Sequence, residues 1–249
     1  GFPLLQVTEA RRLLRAGEPA AAATALHGFD RERVTPSLRT AHSIIAARGF
    51  ASAGRPDLAL AHVAGPMDGR TPAQFAQDHP HEALVRSGLL GDVGRLSDAR
   101  AILAPLLDHV LLGTRARLIA LRLHLNEGRV EDMERHVDRL GSHRGSLIGN
   151  AIIDAYQGRS GSAAARLGPS TPDTLPDPDV NPELYRLEVR ARLLILLNAN
   201  RRAEAIQLME AAALPPALRA RILGPSRGAD DLARAIAAEP TRTEDLVDI

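Results

Sequence analysis

Gly94-Arg95-Leu96-Ser97-Asp98-Ala99-Arg100-Ala101-Ile102-Leu103 follows a helical apolar stretch that includes Leu84, Leu89 and Leu90. Glycine tolerates the left-handed backbone that ends one helix and opens a tight turn. The alanine five positions on lets the returning helix approach its partner, and the aliphatic side chain one turn later fills the gap between them. These ten residues predict a helical hairpin.

The pattern recurs along the chain. Gly54-Arg55 comes with Ala59 and Val63, Gly128-Arg129 with Met133 and Val137, and Gly158-Arg159 with Ala163 and Leu167. An earlier copy is Gly17 with Ala22 and Leu26, and a later one puts Asn200 in the glycine's place, followed by Arg201, Ala205 and Met209. Asparagine is the next best residue for a left-handed position. The turns are spaced by 37 residues (17 to 54), 40 (54 to 94), 34 (94 to 128), 30 (128 to 158) and 42 (158 to 200). A hairpin cannot bury its apolar face alone, so such units stack.

Composition agrees. Hydrophobic residues make up 45% of the 249 residues but aromatics only 2%, and alanine and leucine carry the apolar content. Those are strong helix formers, whereas a β-sandwich or barrel leans on aromatic and β-branched residues. The net charge of +1 gives no overall attraction to nucleic acid or to an acidic membrane surface. No cysteine is present, so disulfides and thiolate metal sites are excluded. No apolar run approaches the roughly 20 residues that span a bilayer. The run near Ile102 to Leu112 is broken by Pro105, Asp108 and His109. The chain opens at Gly1 without a methionine or a charged-then-apolar leader, which reads as an excised or processed piece. The cytoplasm is favoured over the periplasm.

With its Gly-x-x-x-x-Ala-x-x-x-aliphatic signature at these intervals, the chain resembles the tetratricopeptide-repeat superfamily over about residues 3 to 213. Units of that family are about 34 residues long. It departs from the family in lacking the large aromatics of the first helix and in its irregular spacing. Degenerate arrays of this kind resemble the helical-repeat segments of large bacterial transcription regulators of the maltose-activator type. The resemblance implies one all-α domain over 1–249, a right-handed α-solenoid of about six helix-turn-helix hairpins with a C-terminal capping helix pair.

Helix pairs are expected near 3–16 and 19–28, 37–53 and 56–64, 80–92 and 96–109. Later pairs fall near 114–126 and 130–140, 146–157 and 160–167, and 182–198 and 201–213. A cap over about 214–239 would be polar through Arg219, Arg221, Asp230, Asp231 and Arg234, before an acidic tail at 240–249. Two insertions break the rhythm. Residues 64–79 contain Asp68-Gly69, with one helical turn suggested at Gln74-Phe75, and residues 168–182 are proline-rich. Asn181-Pro182-Glu183 is a helix start, with Asn as cap and Pro in the first turn.

Candidate chemistry is sparse. Asp78-His79-Pro80-His81-Glu82 holds imidazoles and carboxylates that zinc accepts, but no third histidine lies nearby. These residues read as a solvent-facing helix start with Asp78 as cap. Asp177-x-Asp179-x-Asn181 opens like a calcium loop and fails at Pro182, where that loop needs glycine. A phosphate-cradling loop ending in Gly-Lys is impossible without lysine, and no Gly-x-Ser-x-Gly elbow occurs. No catalytic residue, metal or cofactor is assigned.

In the resembled family the first helix of each hairpin lines a concave surface that binds extended peptides or a partner helix. Counting back from each turn implies a groove with Arg11, Arg48, Arg122 and Arg190, near Asn126, Tyr156 and Asn198. Ile44, Leu118, Ile148 and Leu194 would add apolar area. Guanidinium forks grip carboxylates through paired hydrogen bonds, so the expected ligand is an acidic peptide or partner protein. The competing reading is surface arginines paired with neighbouring acids, worth little each. The expected function is a non-catalytic interaction scaffold in a larger bacterial regulatory protein. The alternatives are a small-molecule sensor domain of a transcription regulator, closed by one of the insertions, and a cell-envelope assembly scaffold. Direct nucleic-acid binding and membrane insertion are not expected, and the sequence leaves the oligomeric state open.

Overall fold

The computed structural model describes residues 3–16, 18–26, 34–52, 54–63, 69–169, 174–177 and 180–212. The expected C-terminal cap and tail, the turn at Gly17 and the Asp68 half of the Asp-Gly turn lie outside them. The described residues are all-α, with no strand among them. In chain order the helices are α1 (Pro3–Arg15), α2 (Pro19–Ala25), α3 (Pro36–Ser52), α4 (Pro56–His62) and α5 (Pro72–Asp78). Then come α6 (Pro80–Asp92), α7 (Leu96–Leu103), α8 (Gly113–Glu127) and α9 (Glu134–Leu140). The last four are α10 (Arg144–Tyr156), α11 (Ser160–Leu167), α12 (Pro182–Asn198) and α13 (Arg202–Ala211). Seven of these open on proline, which loses nothing where the N–H has no helical partner and whose fixed φ suits a first turn.

The same turn closes one helix and opens the next at five places. The turn residue has positive φ each time: 76° at Gly54, 82° at Gly94, 70° at Gly128, 77° at Gly158 and 59° at Asn200. The N–H of the following arginine donates to the carbonyl five residues back, from Arg55 to Phe50, Arg95 to Leu90, Arg159 to Asp154 and Arg201 to Leu196, all at 2.8 Å. Arg129 donates to His124 at 3.0 Å. This pairing satisfies carbonyls that the helix end would leave orphaned. It also accounts for the arginine, whose side chain reaches a carboxylate beside the turn at Asp57, Asp98, Asp132, Asp154 or Glu204. Five positions after the turn, Ala59, Ala99, Met133, Ala163 and Ala205 are wholly buried. Val63, Leu103, Val137, Leu167 and Met209 are buried one turn further on. Each such aliphatic contributes about 1.5–3 kcal/mol of apolar burial.

Asn200 alone holds this turn without being glycine among the described residues. Replacing it by glycine should leave stability unchanged or raise it by up to about 1 kcal/mol, whereas valine should cost about 1–2 kcal/mol. Urea midpoints decide; equal losses for both variants would mean that the asparagine side chain, not its φ, matters.

Each helix packs on its successor across the turn: α1 on α2, α3 on α4, α6 on α7, α8 on α9, α10 on α11 and α12 on α13. The leading helices also touch one another, α1 with α3, α3 with α6, α6 with α8 and α10 with α12. In addition, α12 packs on α8, two pairs away. The largest apolar cluster sits there, gathering Leu118, Leu121, Val137, Ile148, Ile152, Leu184, Leu187 and Ile195.

Four expectations change in detail. The helix expected over 96–109 breaks at Leu103 into a 3-10 turn, Ala104–Leu106, because Pro105 has no N–H to continue the ladder. The helix expected over 130–140 starts with another 3-10 turn, Val130–Asp132. The helical turn suggested at Gln74-Phe75 is the two-turn helix α5, with Thr71 and Gln74 forming a capping box and Phe75 wholly buried. Asp78 does not cap α6; it ends α5 and pairs with Arg70 at 3.3 Å, while His79 occupies the cap position.

The 168–182 connection is held at its start by a buried ion network. Arg192 in α12 donates to the carbonyls of Leu167 at 3.0 Å, Gly168 at 3.3 Å and Pro169 at 2.6 Å, and to Glu188 at 2.7 Å. Arg144 grips the same Glu188 with paired bonds of 2.8 and 2.6 Å. Arg192 and Glu188 are fully buried.

Candidate functional site

Asn181 caps α12 by accepting from the Leu184 N–H at 3.2 Å, which sets Glu183, Arg186 and Arg190 at successive turns of one helix face. On α8, Arg115, Arg122 and Asn126 recur at the same kind of spacing, and on α6 so do Gly88 and Asp92. These three faces meet. Arg122 donates to Asp92 at 2.6 Å and to the Gly88 carbonyl at 3.1 Å. Gly88 permits that approach, since a Cβ there would stand 3.0 Å from the Arg122 guanidinium. Arg190 donates to Asp92 at 3.3 Å and to Asn126, and Arg186 lies 3.8 Å from the same aspartate. Asn126 in turn donates to the Gly91 carbonyl at 3.5 Å.

Asp92 thus meets guanidiniums from two helices. Burial pushes its carboxyl up, but Arg122, Arg186 and Arg190 outweigh that and hold it below its ordinary value. Beyond it, Arg48 on α3 feels the charges of Glu183, Arg186, Arg115 and Arg11. Burial lowers the Arg48 pKa, Glu183 opposes that, and the three other arginines add to it. Five helices therefore bring Arg11, Arg48, Arg115, Arg122, Arg186 and Arg190 near one another with Asp92 and Glu183 as counter-charges. Among the described residues positive charge is in excess there.

Among the groove residues expected from sequence, Arg48, Arg122, Arg190 and Asn126 belong to this network, and Arg11 approaches it from α1. Arg122 is not a free groove residue; it is 1% exposed and committed to Asp92. Leu118 and Ile148 are corrected outright: both are fully buried in the core between α8, α10 and α12, where their helices are covered on more than one side. Ile44 and Leu194 are partly buried against core clusters. Asn198 donates to the Ala155 carbonyl at 3.1 Å, and Tyr156 is exposed. Arg115, Arg186, Asp92 and Glu183 were not expected. Their signal is helical spacing, since Arg186 precedes Arg190 by four residues and Arg115 precedes Arg122 by seven.

A second polar cluster lies between α8 and α9. The rings of His124 and His136 stack with centroids 5.3 Å apart, beside Asp132 and Arg129. Burial, with His124, Arg117 and Arg135 nearby, lowers His136 to about 4 despite Asp132, and burial also lowers His124. Among the described residues no group of three or more His, Asp or Glu is arranged to hold a metal ion. His79 instead lies 3.0 Å from Arg70. No helix among the described residues is long and apolar enough to cross a membrane.

Fold and site together define an all-α protein with an arginine-rich meeting point of helices. Compared with family models, curated proteins and solved structures, the chain matches none.

Proposed function

We propose that the chain is a non-catalytic binding module that docks an acidic segment of a partner protein, as part of a larger bacterial regulatory protein. Its architecture in this reading is a right-handed α-solenoid of about six hairpins of the tetratricopeptide type. The repeated turn and the serial contact of α1, α3, α6 and α8 support that form. The observation that carries the function is the excess of guanidinium charge around Arg48, contributed by helices remote in sequence. Like charges gathered without enough acids raise the free energy of the empty protein, and an anion relieves it.

The test is fluorescence anisotropy with a labelled oligo-glutamate peptide against wild type and Arg48→Glu, at low and physiological salt. Wild type should bind with salt-dependent affinity and Arg48→Glu at least about tenfold more weakly, a loss of about 1.4 kcal/mol. Equal binding by the two, with both folded by circular dichroism, would move the ligand away from this surface.

A second reading, a sensor domain for a small anionic molecule, is favoured by one observation. The ties of Arg190 to Asp92 and Asn126 bridge α12 to α6 and α8, which suits a compact ligand better than a long one.

A further inference from the structure

Asp92 is the last residue of α6, and its two oxygens are used unequally. Oδ1 accepts from Arg122 at 2.6 Å and from Arg190 at 3.3 Å. Oδ2 faces Arg186 at 3.8 Å, an ion pair too long for a hydrogen bond. The Arg186 side chain is 36% exposed and that of Asp92 33%. Among the described residues Arg186 makes no hydrogen bond and no second ion pair, and none of its three nitrogens is buried. An exposed guanidinium at that distance is loosely held, and such a pair contributes little. The commitment of Oδ1 to the buried Arg122 holds the carboxylate inward, so Asp92 does not offer both oxygens to Arg186. An acid in the last turn also sits at the negative end of the helix dipole, so Asp92 serves these arginines at the expense of its own helix.

We infer that Arg186 takes a side-chain carboxylate of the docked acidic segment, and that Asp92 is a built-in competitor that holds the carboxylate's place in the empty protein. This rests on the docking reading above and names its contact. The Arg186 fork is open to solvent, and an incoming carboxylate makes with it the two parallel bonds that Asp92 does not. Asp92 then keeps Arg122 and Arg190, so the exchange strands no buried charge. What is lost is one loose ion pair, together with the repulsion between two carboxylates that remain near each other. A doubly charged phosphoryl group meets more of that repulsion, so the site favours aspartate and glutamate side chains.

The probe is a labelled oligo-glutamate peptide with an amidated C-terminus, followed by fluorescence anisotropy on the full chain. Arg186→Gln should weaken binding by about tenfold or more, and Arg186→Lys, which keeps the charge and loses the fork, by about threefold. Asp92→Asn should act in the opposite direction and tighten binding by about threefold or more, since the amide oxygen still accepts from Arg122 and no longer competes for Arg186. Glu204→Gln changes the net charge equally, at an exposed pair with Arg201, and should leave the affinity unchanged. Circular dichroism accompanies each variant. If Asp92→Asn does not fold, Asp92→Asn combined with Arg122→Met removes the stranded guanidinium as well and carries the same expectation. Unchanged or weaker binding by the folded Asp92 variant overturns the inference, as does equal tightening by Glu204→Gln or undiminished binding by Arg186→Gln. If the Arg186 and Asp92 variants bind like wild type while Arg48→Glu loses affinity, the inference falls and the docking reading stands. If neither wild type nor Asp92→Asn binds the peptide, both fall.

Discussion

Replacing Arg192 by alanine is expected to destabilise the folded chain by about 3–5 kcal/mol, read as a large fall in the urea midpoint with the slope little changed. The side chain is fully buried and ends in Glu188 and three loop carbonyls. Its removal leaves a buried carboxylate with only the half-exposed Arg144 and strips the carbonyls of their donor. The paired change Arg192→Met with Glu188→Met should cost less than Arg192→Ala alone, since it removes the stranded charge along with the cation. A midpoint for Arg192→Ala within about 1 kcal/mol of wild type would mean that water replaces the guanidinium and that the network contributes little.

Acid should weaken the protein well before its carboxylates are protonated. His136 titrates at about 4 when folded, against 6.5 as the ordinary value, because burial and the facing His124, Arg117 and Arg135 disfavour its cation more than Asp132 favours it. The unfolded chain therefore binds more protons than the folded one between those values, and stability falls as pH drops from about 6.5 toward 4. At 1.36 kcal/mol per pKa unit, and allowing for screening at a part-exposed ring, the loss is about 2–3 kcal/mol. His124, lowered in the same direction, adds to it. Thermal melts at pH 7, 5.5 and 4.5 should show the decline in wild type and a shallower one in His136→Leu. Parallel declines would place the acid sensitivity elsewhere.

The turns were legible because each depends on one local property. A glycine or asparagine at positive φ is visible in the sequence, and the small residue five positions on and the aliphatic beyond it are fixed by geometry within the hairpin. The interior of the site was less so. A fixed offset from each turn assumes that every leading helix shows the same face to the groove, but α8 and α10 are packed on several sides. Leu118 and Ile148 therefore fall in the core, and Arg122 pairs inward with Asp92. Glu183 read correctly as part of a helix start, which concealed that the same side chain stands among arginines from other helices. No local pattern announces an encounter between residues so far apart in sequence. The four- and seven-residue spacings of Arg186 with Arg190 and Arg115 with Arg122 indicate shared faces, though not what those faces meet.

The contact between Asp92 and Arg190 spans 98 residues of chain. Helix pairs that touch only their neighbours lose structure piecemeal, fraying from an end while the middle persists. A tie from α12 back to α6, reinforced by the packing of α12 on α8, removes that independence for everything between them. Opening any pair from α6 to α12 strains the closure, so this stretch is expected to melt as one cooperative block. Amide exchange in the block is then set by a single opening event, and the long-range closure slows its formation relative to a strictly local array.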